Sequence, residues 1–122
     1  MAEWLYYNPN PRKRRTGDCV IRAVCAATGK SWDEVFWGAA FAAFGLDDMP
    51  SSNIAWRLYL RSLGYKRREV TEEYTVGEFA DDHPHGVYVL GTGSHAVTAR
   101  DGRIYDTFDS RPEPVLFYYY KE

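Results

Sequence analysis

Ser94-His95-Ala96-Val97-Thr98-Ala99-Arg100-Asp101-Gly102-Arg103-Ile104-Tyr105-Asp106-Thr107-Phe108 sets two runs of β-forming residues around Asp101-Gly102, a pair that favours a two-residue hairpin turn. Continued backward from that turn, the pairing puts Arg100 opposite Arg103, Val97 opposite Asp106 and His95 opposite Phe108. Residues 95, 97, 104, 106 and 108 then share one face. Upstream, Val87-Tyr88-Val89-Leu90 reads as a buried strand. Downstream, Val115 to Tyr120 reads as the last strand, after a Pro-containing turn around Arg111 to Pro114.

The first half of the chain has a different period. Asp18 stands where it can cap a helix from Cys19 to about Thr28, with Gly29 as its stop. Ser31 and Glu34 form a capping box for a second helix reaching Gly45, in which Val35, Phe36, Ala39, Ala40, Ala43 and Phe44 recur at helical spacing. The rings of Trp32, Phe36, Trp37, Phe41 and Phe44 are expected in the core. A third helix starts at Ser51 or Ser52 and carries Ile54, Trp56, Leu58, Leu60 and Leu63 to Gly64. Lys66 to Thr71 reads as a short exposed strand, and Thr75 with Glu78 caps one or two further helical turns. After an aromatic, proline-containing start from Trp4 to Pro11, the basic block Arg12-Lys13-Arg14-Arg15 reads as loop. The expected fold is one α+β domain over residues 1–122, with N-terminal helices packed on a C-terminal antiparallel sheet.

Composition narrows the function. The 122 residues carry 15 basic and 17 acidic side chains, a net charge of −2, whereas nucleic-acid-binding domains usually present a net basic surface. No nucleic-acid partner is expected. No apolar run approaches the roughly 18 residues of a membrane helix, and Met1 is not followed by a signal-like core. The expectation is a protein without a membrane partner that stays inside the cell. A metal or other cofactor is not expected either, because there is no CxxC pair and the one His-x-His, His83 and His85, lacks nearby partners at zinc spacing.

Chemistry is expected at Cys19. At the first turn of a helix its thiolate would meet unpaired amides and the positive end of the helix dipole. A small buried hydrophobe is the other reading, since free cysteines are among the most buried residues. Cys25 is read as core. A thiolate nucleophile needs a base held by a third group. His95 opens a strand after the small residues Gly91-Thr92-Gly93-Ser94, and Asp106 lies diagonal to it across the hairpin. Asp109 is the alternative third member, and His83 and His85 read as solvated loop residues.

Thr16-Gly17-Asp18-Cys19, Ser94-His95-Ala96-Val97 and Tyr105-Asp106-Thr107-Phe108, in that order, resemble the papain-like cysteine peptidase superfamily. Asn8-Pro9-Asn10-Pro11, Trp32-Asp33-Glu34-Val35 and His83-Pro84 extend the likeness to small phage and prophage papain-like proteins, distant relatives of bacteriocin-leader-processing peptidases. The resemblance implies a cysteine peptidase, isopeptidase or amidase in a bacterial cytoplasm, phage-encoded, acting on a peptide or protein substrate. It makes Cys19 the nucleophile, His95 the general base and Asp106 the group that orients it. The superfamily's oxyanion glutamine has no counterpart, because the chain contains no Gln. Asn10 or Asn8 is left as the side-chain donor. Gly17, Gly93 and Ser94 are expected along the substrate cleft. A catalytically silent scaffold that binds a host or phage protein is the alternative.

Overall fold

The computed structural model describes residues 1–121. It is a mixed α+β fold of four helices and six strands: β1 (Glu3–Tyr6), α1 (Cys19–Thr28), α2 (Trp32–Gly45), α3 (Asn53–Ser62), β2 (Lys66–Glu69), α4 (Val76–Asp82), β3 (Val87–Gly91), β4 (Ala96–Arg100), β5 (Arg103–Asp106) and β6 (Phe117–Tyr120). The strand order is β1-β5-β4-β3-β6-β2. Four of the pairings are antiparallel, but β1 runs parallel to β5, with Trp4 opposite Ile104. The expectation of a purely antiparallel, C-terminal sheet is therefore corrected. Residues 3–6 were hidden as a strand because Pro9 and Pro11 follow so closely and only four residues pair.

Helices cover both sheet faces. α1 to α3 pack with Val89, Ala96, Phe117 and Tyr119, while Val76, Phe79 and Ala80 of α4 pack with Leu90, Val97, Ala99 and Ile104. Consecutive strand residues thus go to opposite cores, as a period of two requires. α1 lies across β4: Thr98 Oγ1 donates to the Ala23 carbonyl and an Arg100 guanidinium N–H to that of Ala26. β4 and β5 pair only from Arg100↔Arg103 to Thr98↔Tyr105, so the ladder stops before it reaches His95 and Asp106. Those two are released from the shared face predicted for them and meet α1 instead. Val97 and Ile104 stay on the α4 side.

α2 departs from expectation. Trp32 and Phe36 are half-buried and stack on one another, but Trp37, Phe41 and Phe44 are 70%, 82% and 82% exposed. The helix buries its small residues: Ala39 and Ala43 face the core, and Gly38 lies so close to the Tyr59 ring of α3 that any Cβ there would collide. Close approach through alanine and glycine leaves the large rings on the opposite side. On α3, Ile54 and Leu58 are likewise exposed, and Tyr59 fills the core beside Trp56 and Leu60.

Gly91 has a comparable role beside the site. Its carbonyl accepts from Leu116 N–H, and a Cβ would run into the Phe117 ring. Gly91→Ala is expected to cost about 1–3 kcal/mol through overpacking, read as a lower urea midpoint at unchanged slope.

Candidate active site

Three segments converge at the start of α1. Cys19 is the first residue of that helix and is half-buried; His95 immediately precedes β4; Asp106 ends β5 and is buried. His95 Nε2 donates to Asp106 Oδ2 at 2.7 Å, and the imidazole lies close enough to the Cys19 thiol to lower its pKa.

Burial raises the cost of a Cys19 thiolate and is the largest influence on it. The hydrogen bond from His95, the backbone N–H of Ala96 and the charges of His95 and Arg22 together outweigh burial, so the thiol lies below its ordinary value. For His95, burial favours the neutral ring, but the hydrogen bonds and charges of Asp106 and Cys19 raise it to about 9. Both shifts favour a thiolate facing an imidazolium. Cys25 moves the other way. Burial, aided by the Asp18 charge, pushes its thiol up to about 12.

Asp106 is held from every side. Ser110 Oγ donates to Oδ2 at 2.8 Å, the Thr107 N–H donates to Oδ1 at 2.7 Å, and Arg22 NH2 lies 3.5 Å from Oδ1. Its main-chain carbonyl accepts from Trp4 Nε1 at 3.1 Å and from Tyr7 N–H at 2.9 Å. The other contender, Asp109, is bound to Arg111 at 2.8 Å through both carboxylate oxygens. The hydrogen bond to His95 is made by Asp106.

Asp18 does not cap α1, contrary to expectation. One carboxylate oxygen is paired with Arg22 one turn on, and the other accepts from Trp32 Nε1 at 2.9 Å. A buried guanidinium and an indole N–H compete successfully with the helix amides for this carboxylate. Arg22 thus bridges Asp18 and Asp106, with its Nε buried and unpartnered among the described residues. Sequence reading missed Arg22 and Ser110. The i, i+4 spacing of Asp18 and Arg22 was the available signal for the first.

Asn8 and Asn10 are both buried in the loop before α1. Asn8 Nδ2 donates to the Arg14 carbonyl at 3.3 Å, and Asn8 Oδ1 accepts from Asn10 N–H. Asn10 Oδ1 accepts from the N–H groups of Arg12 and Arg14. The asparagines fold the basic loop, and among the described residues the Asn10 side-chain NH2 makes no such bond. Gly17 lines a cavity beside α1. Gly93 and Ser94 are exposed in the β3–β4 turn, where Thr92 N–H donates to the His95 carbonyl at 2.9 Å and Gly93 takes a positive φ of 96°. They fix the His95 backbone and lie outside that cavity's lining.

The remaining histidines stand apart from the site. His83 is packed rather than solvated: its ring stacks on Phe79 at 3.9 Å and Nδ1 donates to the Phe79 carbonyl. His85 is exposed. Among the described residues no group of three or more His, Cys, Asp or Glu side chains is placed to hold a metal ion, and no helix is long and apolar enough to cross a membrane.

No family model, curated protein or solved structure matches this chain. What the site does has to be read from its own geometry.

Proposed function

We propose that the protein is a papain-like thiol hydrolase acting on an amide, isopeptide or thioester bond of a peptide or protein through an acyl-Cys19 intermediate. The observation that carries this reading is the convergence of Cys19, His95 and Asp106 from α1, the start of β4 and the end of β5, with His95 bonded to Asp106 and lowering the Cys19 pKa. Cys19 Sγ attacks the carbonyl carbon, and for an amide His95 gives its proton to the departing nitrogen as the C–N bond breaks. His95 then takes a proton from water, whose oxygen attacks the acyl carbon and returns Cys19 as thiolate. Asp106 holds the imidazole in register and favours its charged form.

The test is iodoacetamide labelling with mass mapping from pH 4 to 9. Fast labelling of Cys19 well below pH 8, with Cys25 unmodified, supports the reading; a slow Cys19 following an ordinary thiol titration overturns it. For the developing oxyanion, the Cys19 backbone N–H and the Asn10 amide are the proposed donors. Asn10→Asp keeps the acceptor that folds the basic loop and removes the donor, so kcat is expected to fall about 10²- to 10³-fold with little change in Tm. Unchanged kcat would remove Asn10 from the oxyanion site. The silent-scaffold alternative is favoured by one observation, the exposed Trp37, Phe41 and Phe44 stripe, since aromatic surfaces of this kind mark partner contacts.

A further inference from the structure

A cavity of about 750 Å³ opens beside the first turn of α1, within the size range of small-ligand pockets. Its walls are largely apolar, with Ile21 from α1, Trp32 and Phe36 from α2, and Met49 from the α2–α3 connection; Arg12 and Arg14 stand at its rim. Cys19, His95 and Asp106 are not in its lining, although Asn10, the proposed oxyanion donor, is. α1 turns Cys19, Arg22 and Ala23 toward β4 and β5, where they meet His95, Asp106 and Thr98. Val20 and Ile21 line the cavity from the other side of the same turn.

The charge at the rim is unbalanced. Neither the Arg12 nor the Arg14 side chain has a carboxylate partner among the described residues, whereas Asp18, also in the lining, is paired with Arg22. Asp33 is the one other lining carboxylate. Two exposed guanidiniums against a single aspartate favour an anion, and guanidinium geometry suits a carboxylate. A helix with its side chains is about 10 Å across. A strand-like peptide advances about 3.3 Å per residue, so a chain reacting at Cys19 reaches the cavity after about three residues.

We propose that this cavity is a substrate subsite for a large apolar side chain, about three residues from the reacting carbonyl, with a neighbouring acidic residue held by Arg12 and Arg14. The assignment rests on the thiol-hydrolase reading and names the substrate class for it: peptides with an aromatic or long aliphatic residue next to Asp or Glu. Trp32 and Phe36 supply a stacked aromatic wall at 5.1 Å, which suits a ring better than a short side chain.

The test uses binding, so that turnover is not needed. Fluorescein-labelled Gly-Gly-Phe-Glu-Gly-Gly-Ser-Gly is titrated with Cys19→Ala protein and followed by polarisation, beside versions with Ser for Phe or Gln for Glu. The Phe-Glu peptide is expected to bind at least tenfold tighter than either. Arg12→Ala with Arg14→Ala should bring the Glu and Gln versions within twofold of each other. Ser51→Trp, at an exposed lining position, narrows the mouth without touching the core and should cut Phe-Glu affinity about tenfold at unchanged Tm. Equal binding of the three peptides, or indifference to Ser51→Trp, overturns the assignment. Iodoacetamide labelling of the wild type separates the two readings. Fast labelling with indiscriminate peptide binding sinks the cavity assignment alone, whereas a slow thiol with preserved peptide preference sinks the hydrolase reading and leaves a peptide-binding site.

Discussion

With His95 replaced by Ala, hydrolysis is expected to fall by about 10²- to 10⁴-fold, the usual contribution of a positioned acid–base group, and Cys19 is expected to lose its fast alkylation at pH 6. The imidazole supplies both a hydrogen bond and a positive charge to sulfur. Without it burial dominates, and the thiol returns toward an ordinary or higher value. The wild-type pH profile follows from the same pair. Activity should rise with pH as Cys19 ionises below the normal thiol range, hold a plateau, and fall near pH 9, where His95 loses the proton it owes the leaving group. Stability has the matching signs. A raised histidine stabilises the fold fully below its unfolded value of about 6.5, and that contribution drains as pH climbs through about 9. The lowered Cys19 contributes above the unfolded thiol value of about 8.5 and loses its contribution as pH falls through its folded value. A kcat/KM profile for His95→Ala that still carries the alkaline limb near pH 9 would assign that limb to another group.

Arg22→Met is expected to be the most destabilising single change at the site. The guanidinium is buried between Asp18 and Asp106, and its removal leaves two buried carboxylates without their shared cation. Breaking such a pair costs about 3–5 kcal/mol, which for a chain of this size lowers Tm by roughly 10–20 °C. Activity at low temperature should fall as well, because Asp106 loses a partner that holds it against His95. The double variant Arg22→Met with Asp18→Asn removes one stranded carboxylate and should recover part of the loss. Additive losses in a double-mutant cycle would mean that Asp18 and Arg22 do not act together.

Most of the helical half was legible because its punctuation is chemical. Ser31, Ser52 and Thr75 each cap the helix expected of them, and Asp101-Gly102 set the β4–β5 register from Arg100↔Arg103 to Thr98↔Tyr105, just beyond which His95 and Asp106 meet. Three things escaped for physical reasons. β1 gains its identity from β5, about a hundred residues downstream, and four residues ending shortly before Pro9 carry no pattern of their own. The exposed rings of α2 were placed in the core because periodicity reports that one face is buried but not which one, and Gly38, Ala39 and Ala43 won through closer approach. Asp18 looked like a cap because its competition with Arg22 and Trp32 exists only after the chain has folded. The nearness of His95 to Asp106 was legible because the hairpin turn is a local signal; Arg22 and the cavity beside α1 were not, because they depend on several loops at once.

β1 has a consequence for the order in which the molecule is made. Its Trp4 Nε1 bonds the carbonyl of a residue 102 positions later, and His95 and Asp106 come into place only after β4 and β5 exist. Domains form from the N-terminal end as synthesis proceeds, so α1 to α3 emerge first with a thiol that has neither base nor carboxylate. Until β4 and β5 dock against α1, Cys19 lacks the imidazole that lowers its pKa in the folded chain.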